Sequence, residues 1–254
     1  MLQRGKARSE ILAHRDATIV GLQYGLAARN QEVWALRWES LDDEFAWIFE
    51  VLSCGQLEEW GKTEHSTMRR TAVPSLLQED LSKWRLALLR VGHPIRECDF
   101  IIPGDLADRQ YGVRDPITGA CHFSASQAGS WGERFFTPAV KSAAQRPEFA
   151  PILGATPYAL RRGGISLRVR AEDPQTVASE CGTSLKMLSE HYAYAIADLR
   201  RNGPRPADVE WRAARAEQAD HDTREHAPGA LAASETTDPP DALVAWFTAP
   251  GHRS

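Results

Sequence analysis

The residues from Thr156 to Ile196, TPYALRRGGISLRVRAEDPQTVASECGTSLKMLSEHYAYAI, are punctuated so closely that the backbone has few choices. Tyr158 to Arg170 carries helical spacing in spite of Gly163 and Gly164, a pair that permits close approach by another backbone. Asp173 followed by Pro174 predicts an N-cap and a first helical position for DPQTVASE. Gly182 to Ser184 predicts a turn, and Ser184 caps an amphipathic run, LKMLSEHYAYAI. Along that run Leu185, Leu188 and Tyr192 share one face, and Met187 aligns with His191 and Tyr194.

The preceding chain divides at similar signals. Residues 9–28 place Ile11, Leu12, Ile19, Leu22 and Leu26 at helical spacing. Asn30 is positioned to cap a second helix in which Glu32 suits the first turn and Val33 and Leu36 face the core. Phe45, Trp47 and Phe49 alternate, which predicts a strand. The next stretch, GQLEEWGKTEHSTMRRTAVP, completes a small antiparallel sheet, with Lys62 and Thr63 near a hairpin tip and Thr71 to Val73 returning until Pro74 stops them. Ser75 caps a helix whose core face is Leu76, Leu77, Leu81, Trp84, Leu88 and Leu89, ended by Gly92. Asp99 to Pro103 is a short buried strand, residues 104–122 a loop, and a helix from Ser126 is kinked or broken at Pro138. Helices, a small sheet and further helices make an α+β pattern, mostly helical.

Composition separates a body from a tail. Of the net charge of −4, residues 204–254 hold nine acids against five Lys and Arg, so residues 1–203 are balanced. The tail is rich in Pro, Ala, Asp and Glu and reads as largely disordered, with a helix at 206–220 and a short apolar segment, DALVAWFTA, at 241–249. No apolar run reaches about 18 residues, which excludes a transmembrane helix, and the N-terminus is too polar for a secretory signal. Cys54, Cys98, Cys121 and Cys181 form no CxxC pair, which argues against a zinc site and for a reduced cytoplasmic protein. A neutral body gives only a modest, local grip on a polyanion, yet Arg29, Lys62, Arg69, Arg70, Arg161 and Arg162 can converge on one face.

The chemistry on offer is an anion clamp some thirty residues ahead of a tyrosine. Arginine holds a phosphate through parallel donors and stays charged at any working pH. A tyrosine hydroxyl near such charge can be drawn towards phenolate and act as a nucleophile, here on a phosphodiester. Taken singly, Arg29 also reads as a solvated helix-end arginine, Lys62 as a solubilising hairpin lysine, and Tyr192 as a half-buried aromatic on an amphipathic helix.

Five segments in order, over roughly residues 10–196, resemble the catalytic domain of the tyrosine recombinases, the phage-integrase and Xer-like family. GLAARNQEVWALRWESLD resembles the segment with an arginine and, three residues on, a glutamate. GKTEHSTMRRTAVP resembles the hairpin bearing the catalytic lysine, and DFIIPGD the short strand after the next helix. TPYALRR resembles the segment with the second arginine, and CGTSLKMLSEHYA the segment ending in the nucleophile. The resemblance implies catalytic roles for Arg29, Lys62, Tyr158, Arg161, Thr183 and Tyr192, with Tyr194 as the fallback nucleophile, and DNA contacts for Arg69, Arg70 and Arg162. The glycine pair at 163 and 164 would likewise admit DNA.

It further implies site-specific DNA recombination or DNA integration through a 3′-phosphotyrosyl intermediate, on double-stranded DNA, in a homotetramer, with no metal and no cofactor. Residues 1–203 would be the catalytic domain, without the family's N-terminal core-binding domain. Two positions depart from the usual pattern: Tyr158 stands where histidine is usual, and Thr183 where histidine or tryptophan is usual. Both keep a hydroxyl donor and neither is an imidazole. The alternatives are therefore an impaired or truncated relative acting as a DNA-binding module, and a topoisomerase-like nicking and closing enzyme.

Overall fold

The computed structural model describes residues 2–59, 68–106 and 112–225, without the side chains of residues 2–9 and 220–225. Helix α1 (Leu2–Gly25) is longer at its N-terminus than the periodicity predicts, and it buries Ile11, Ile19 and Leu22, with Leu26 just beyond its end. It packs on α3 (Ser75–Arg90) and α6 (Pro157–Ala171). Short α2 (Asn30–Ala35) follows, with Arg29 rather than Asn30 at the capping position. The reason is the Glu32 carboxylate, which reaches back to accept the Arg29 backbone N–H at 2.7 Å and satisfies an otherwise orphaned donor. Asn30 instead accepts from the Gln23 side chain.

Among the described residues the strands form three antiparallel pairs rather than one sheet: β1 (Phe45–Ile48) with β4 (Arg69–Ala72), β2 (Val51–Ser53) with β3 (Gln56–Glu58), and β5 (Val113–Arg114) with β6 (Cys121–His122). Alternation locates β1, but the inward parity is Ala46 and Ile48, while Trp47 is turned out. Asp99 to Pro103 is buried as expected yet makes only a bridge, Phe100 opposite Arg37, so it is not a strand. The hairpin of β5 and β6 falls within what reads as a structureless loop.

Pro74, not Ser75, caps α3, and Leu89 of that helix faces solvent while Leu88 is buried. The break near Pro138 is a π turn over Gly132–Phe136, between α4 (Ala125–Trp131) and α5 (Thr137–Ala143). The missing proline N–H leaves the ladder free to widen there. Helix α7 (Pro174–Cys181) is capped by Asp173 as the sequence predicts, and Gly182 closes it with φ of 60°. The run after Ser184 is two helices, α8 (Leu185–His191) and α9 (Ala193–Asn202), broken at Tyr192 with φ −123° and ψ 17°.

The helix expected at 206–220 is α10 (Ala207–Glu225), and it packs on α3 and α6. Its Trp211 is 1% exposed and meets Tyr24 edge-on at 5.3 Å. The compositional break after Gly203 therefore does not coincide with a break in packing. The segment 241–249 lies outside the described residues. No helix among the described residues is long and apolar enough to cross a membrane.

Candidate active site

A small second core fixes the site's geometry. Ala27, Ile165, Val169, Val177, Ala178, Cys181, Leu188, Tyr192 and Ala195 pack together beneath it. Within that cluster α6 crosses the end of α1 so closely that a Cβ on Gly164 would stand 2.1 Å from the Tyr24 carbonyl oxygen. Gly164 thus serves a backbone approach. The approach brings Arg161, one turn earlier on α6, under the loop that follows α1.

Arg161 is 3% exposed and donates to the Ala27 carbonyl and, at 2.6 Å, to the Cys181 carbonyl. Arg29 donates to the next carbonyl along, Gly182, at 3.0 Å, and to Glu32 at 2.9 Å. The two arginines, 132 positions apart in sequence, therefore rest on consecutive carbonyls of one turn. Burial lowers the Arg161 pKa, and the neighbouring Arg29 charge adds to the effect, offset in part by Glu32.

Glu32 is the shared counterion. It accepts two bonds from Arg69, at 3.0 and 2.7 Å, one from the Arg29 side chain, and lies 4.0 Å from Arg161. Burial alone would raise its carboxyl; the guanidinium groups of Arg69 and Arg161 and the Arg29 backbone N–H outweigh burial and hold it at about 2. Three guanidinium groups around one carboxylate leave an excess of positive charge, and exposed Arg162 adds to it. That excess is what an anion site requires.

Arg69, expected from the sequence to contact DNA, is turned inward. Its fork is committed to Glu32 and its Nε to the Glu180 carbonyl, and it is buried, so it braces the site rather than meeting a ligand. Glu180 also accepts from Arg168 and from the Ala72 backbone, tying α7 to β4. The seating of Arg69 has no local sequence signal, because its partners lie 37 and 111 positions away. Arg70 is exposed and stacks over Phe45 at 4.5 Å. Lys62 lies outside the described residues.

Tyr158, Arg161, Arg162, Thr183, His191 and Tyr192 line a cavity of about 140 Å³, with Ile165 and Met187 as its apolar wall. Of the sequence-derived catalytic residues, four share this cavity, and Arg29 adjoins it through Gly182. Tyr158 is exposed, while Tyr192 is 6% exposed. Burial pushes the Tyr192 phenol up to about 12, Tyr158 adds to the rise, and Arg161 and Arg162 only partly counter it. The expectation that nearby arginine draws this tyrosine towards phenolate is therefore reversed: desolvation outweighs the cations. Tyr194, the fallback, is held by Ser166 at 2.6 Å and does not line the cavity. The sequence pattern places His191 on one helical face with Met187, but its position on the cavity wall is evident only in the fold.

No family model matches the sequence. No curated protein matches it. Among solved structures the chain is similar to a Tn1549 transposon integrase in complex with circular intermediate DNA, at 18% identity and a TM-score of 0.46. The likeness covers 79% of this chain and 65% of that one, so the chain spans just under two thirds of that neighbour's length.

Proposed function

We propose that this protein is a DNA strand-exchange enzyme of the tyrosine-recombinase kind, which cleaves and rejoins double-stranded DNA through a 3′-phosphotyrosyl link. The observation that carries the reading is the seating of Arg29 and Arg161 on the adjacent carbonyls of Gly182 and Cys181, beside the cavity that holds Tyr192. Each guanidinium has five N–H donors, and the bonds named above use two of them on each side chain. The rest are available to the non-bridging oxygens of a scissile phosphate, where negative charge grows as phosphorus becomes five-coordinate.

In this reading Tyr192 attacks phosphorus in line, the Tyr192 Oη–P bond forms, and the bond to the 5′-oxygen breaks. Lys62 protonates that leaving oxygen. Tyr158 and Thr183 donate hydroxyl hydrogen bonds to the phosphate, and Arg162 and Arg70 contact the DNA backbone. A 5′-hydroxyl then reverses the step on a partner strand, in a homotetramer on DNA in the cytoplasm. The phosphodiester bond energy is conserved in the covalent link, so the scheme invokes neither metal nor nucleotide.

A second reading, a DNA-binding module that no longer cleaves, is favoured by one feature: both clamp arginines already hold backbone carbonyls. A nicked suicide substrate separates the two. The enzyme reading expects a covalent protein–DNA adduct with the wild type and none with Tyr192→Phe. A wild type that binds the same DNA and forms no adduct favours the module.

A further inference from the structure

The chemistry just proposed leaves one proton without a destination, and this inference rests on that reading. The Tyr192 phenol, pushed up to about 12, is un-ionised at neutral pH, so attack on phosphorus needs a group to take its proton. The cavity's other polar walls are poor acceptors. Arg161 and Arg162 are cations. Glu32 does not line the cavity, and, held at about 2 among three guanidinium groups, it is a very weak base. Tyr158 and Thr183 offer neutral hydroxyls, which donate hydrogen bonds but do not hold an additional proton in neutral water.

One basic side chain remains on the wall. His191 ends α8 and shares that helix's face with Met187, four residues earlier, and both line the cavity. Leu188 and Tyr192 lie one residue further round, on the buried face. The helix stops at Tyr192, which lines the cavity as a buried residue, while His191 lines it as an exposed one.

We propose that His191 is the general base of strand cleavage, accepting the Tyr192 proton as the Oη–P bond forms and returning it when the bond is reversed. It supplies the imidazole that the segments around Tyr158 and Thr183 lack. In the forward step the phenol proton moves to a neutral imidazole nitrogen, the P–O5′ bond breaks, and the leaving oxygen takes a proton from a separate donor. The reverse step restores both protons, so the balance closes without a further reactant.

The test is the single-turnover rate of adduct formation on the nicked substrate, with DNA binding measured in parallel. His191→Ala and His191→Gln, at an exposed position, should bind DNA as the wild type does and form adduct about 10²-fold or more slowly. Added imidazole should restore rate to His191→Ala, in a saturable manner, and leave Tyr192→Phe inert. Unchanged rates in both variants, or a loss that imidazole does not relieve, would overturn the assignment while the strand-exchange reading stands. A wild type without adduct removes that reading, and this assignment with it.

Discussion

Glu32 is the residue on which the site's charge balance turns. It is 1% exposed and holds Arg69 and Arg29 directly, with Arg161 at 4.0 Å. Replacing Glu32 by Gln leaves buried guanidinium charge uncompensated, and stability in urea should fall by about 3–5 kcal/mol. The same group sets an acid limit. Its folded pKa is depressed from 4.5 to about 2, so its stabilisation is fully present above pH 4.5 and is lost as pH falls through about 2. An acid titration followed by circular dichroism should show that component in the wild type, and Glu32→Gln should lack it. The convergence of residues 29 and 161 on one turn is foreshadowed in the sequence, because each arginine sits in a short patterned segment. The pairing of Arg69 is not legible, because its partner Glu32 lies 37 positions away and nothing local marks a buried, paired arginine. The phenol of Tyr192 was misread for a related reason: spacing reveals nearby cations but not the depth of burial that opposes them.

The element that positions the clamp is α6, and its seating on α1 depends on Gly164. A methyl group there would meet the Tyr24 carbonyl at 2.1 Å, and both backbones would have to part. Gly164→Ala should lower stability by about 3 kcal/mol, against the usual preference of helices for alanine. Gly129→Ala, in α4 with nothing within 4 Å, is the control and should raise stability by about 0.5–1 kcal/mol. Chemical denaturation midpoints of the two variants check both. Caps and turns were the readable part of these elements: Asp173, Pro174, Gly182 and Ser184 all sit where their local chemistry predicts. The parity of β1 and the break at Tyr192 were not readable. Ala46 faces inward because the core lies on its side of the pleat, and Tyr192 leaves helical geometry while its ring is held in the second core. Both are tertiary effects that override periodicity.

At the scale of the molecule, α10 joins what composition separates. Its charged surface conceals a single large apolar anchor, Trp211, seated against Tyr24 and Gly25. Arg212 and Arg215 pair with Glu79 and Asp80 of α3 and fix its direction. A helix held this way packs as part of the body that carries Arg29 and Arg161. Trp211→Ala should cost about 3–5 kcal/mol and lower the thermal midpoint of the whole body in one transition. The central claim is narrower: one phosphorus atom is attacked from residue 192, between the guanidinium groups of residues 29 and 161. Its most direct measurement is to trap the protein on nicked DNA, digest the product, and identify by mass spectrometry the peptide that retains nucleotide. The account predicts a phosphodiester link on Tyr192; a link on Tyr194 or Tyr158, or protein that binds the DNA and carries no link, would contradict it.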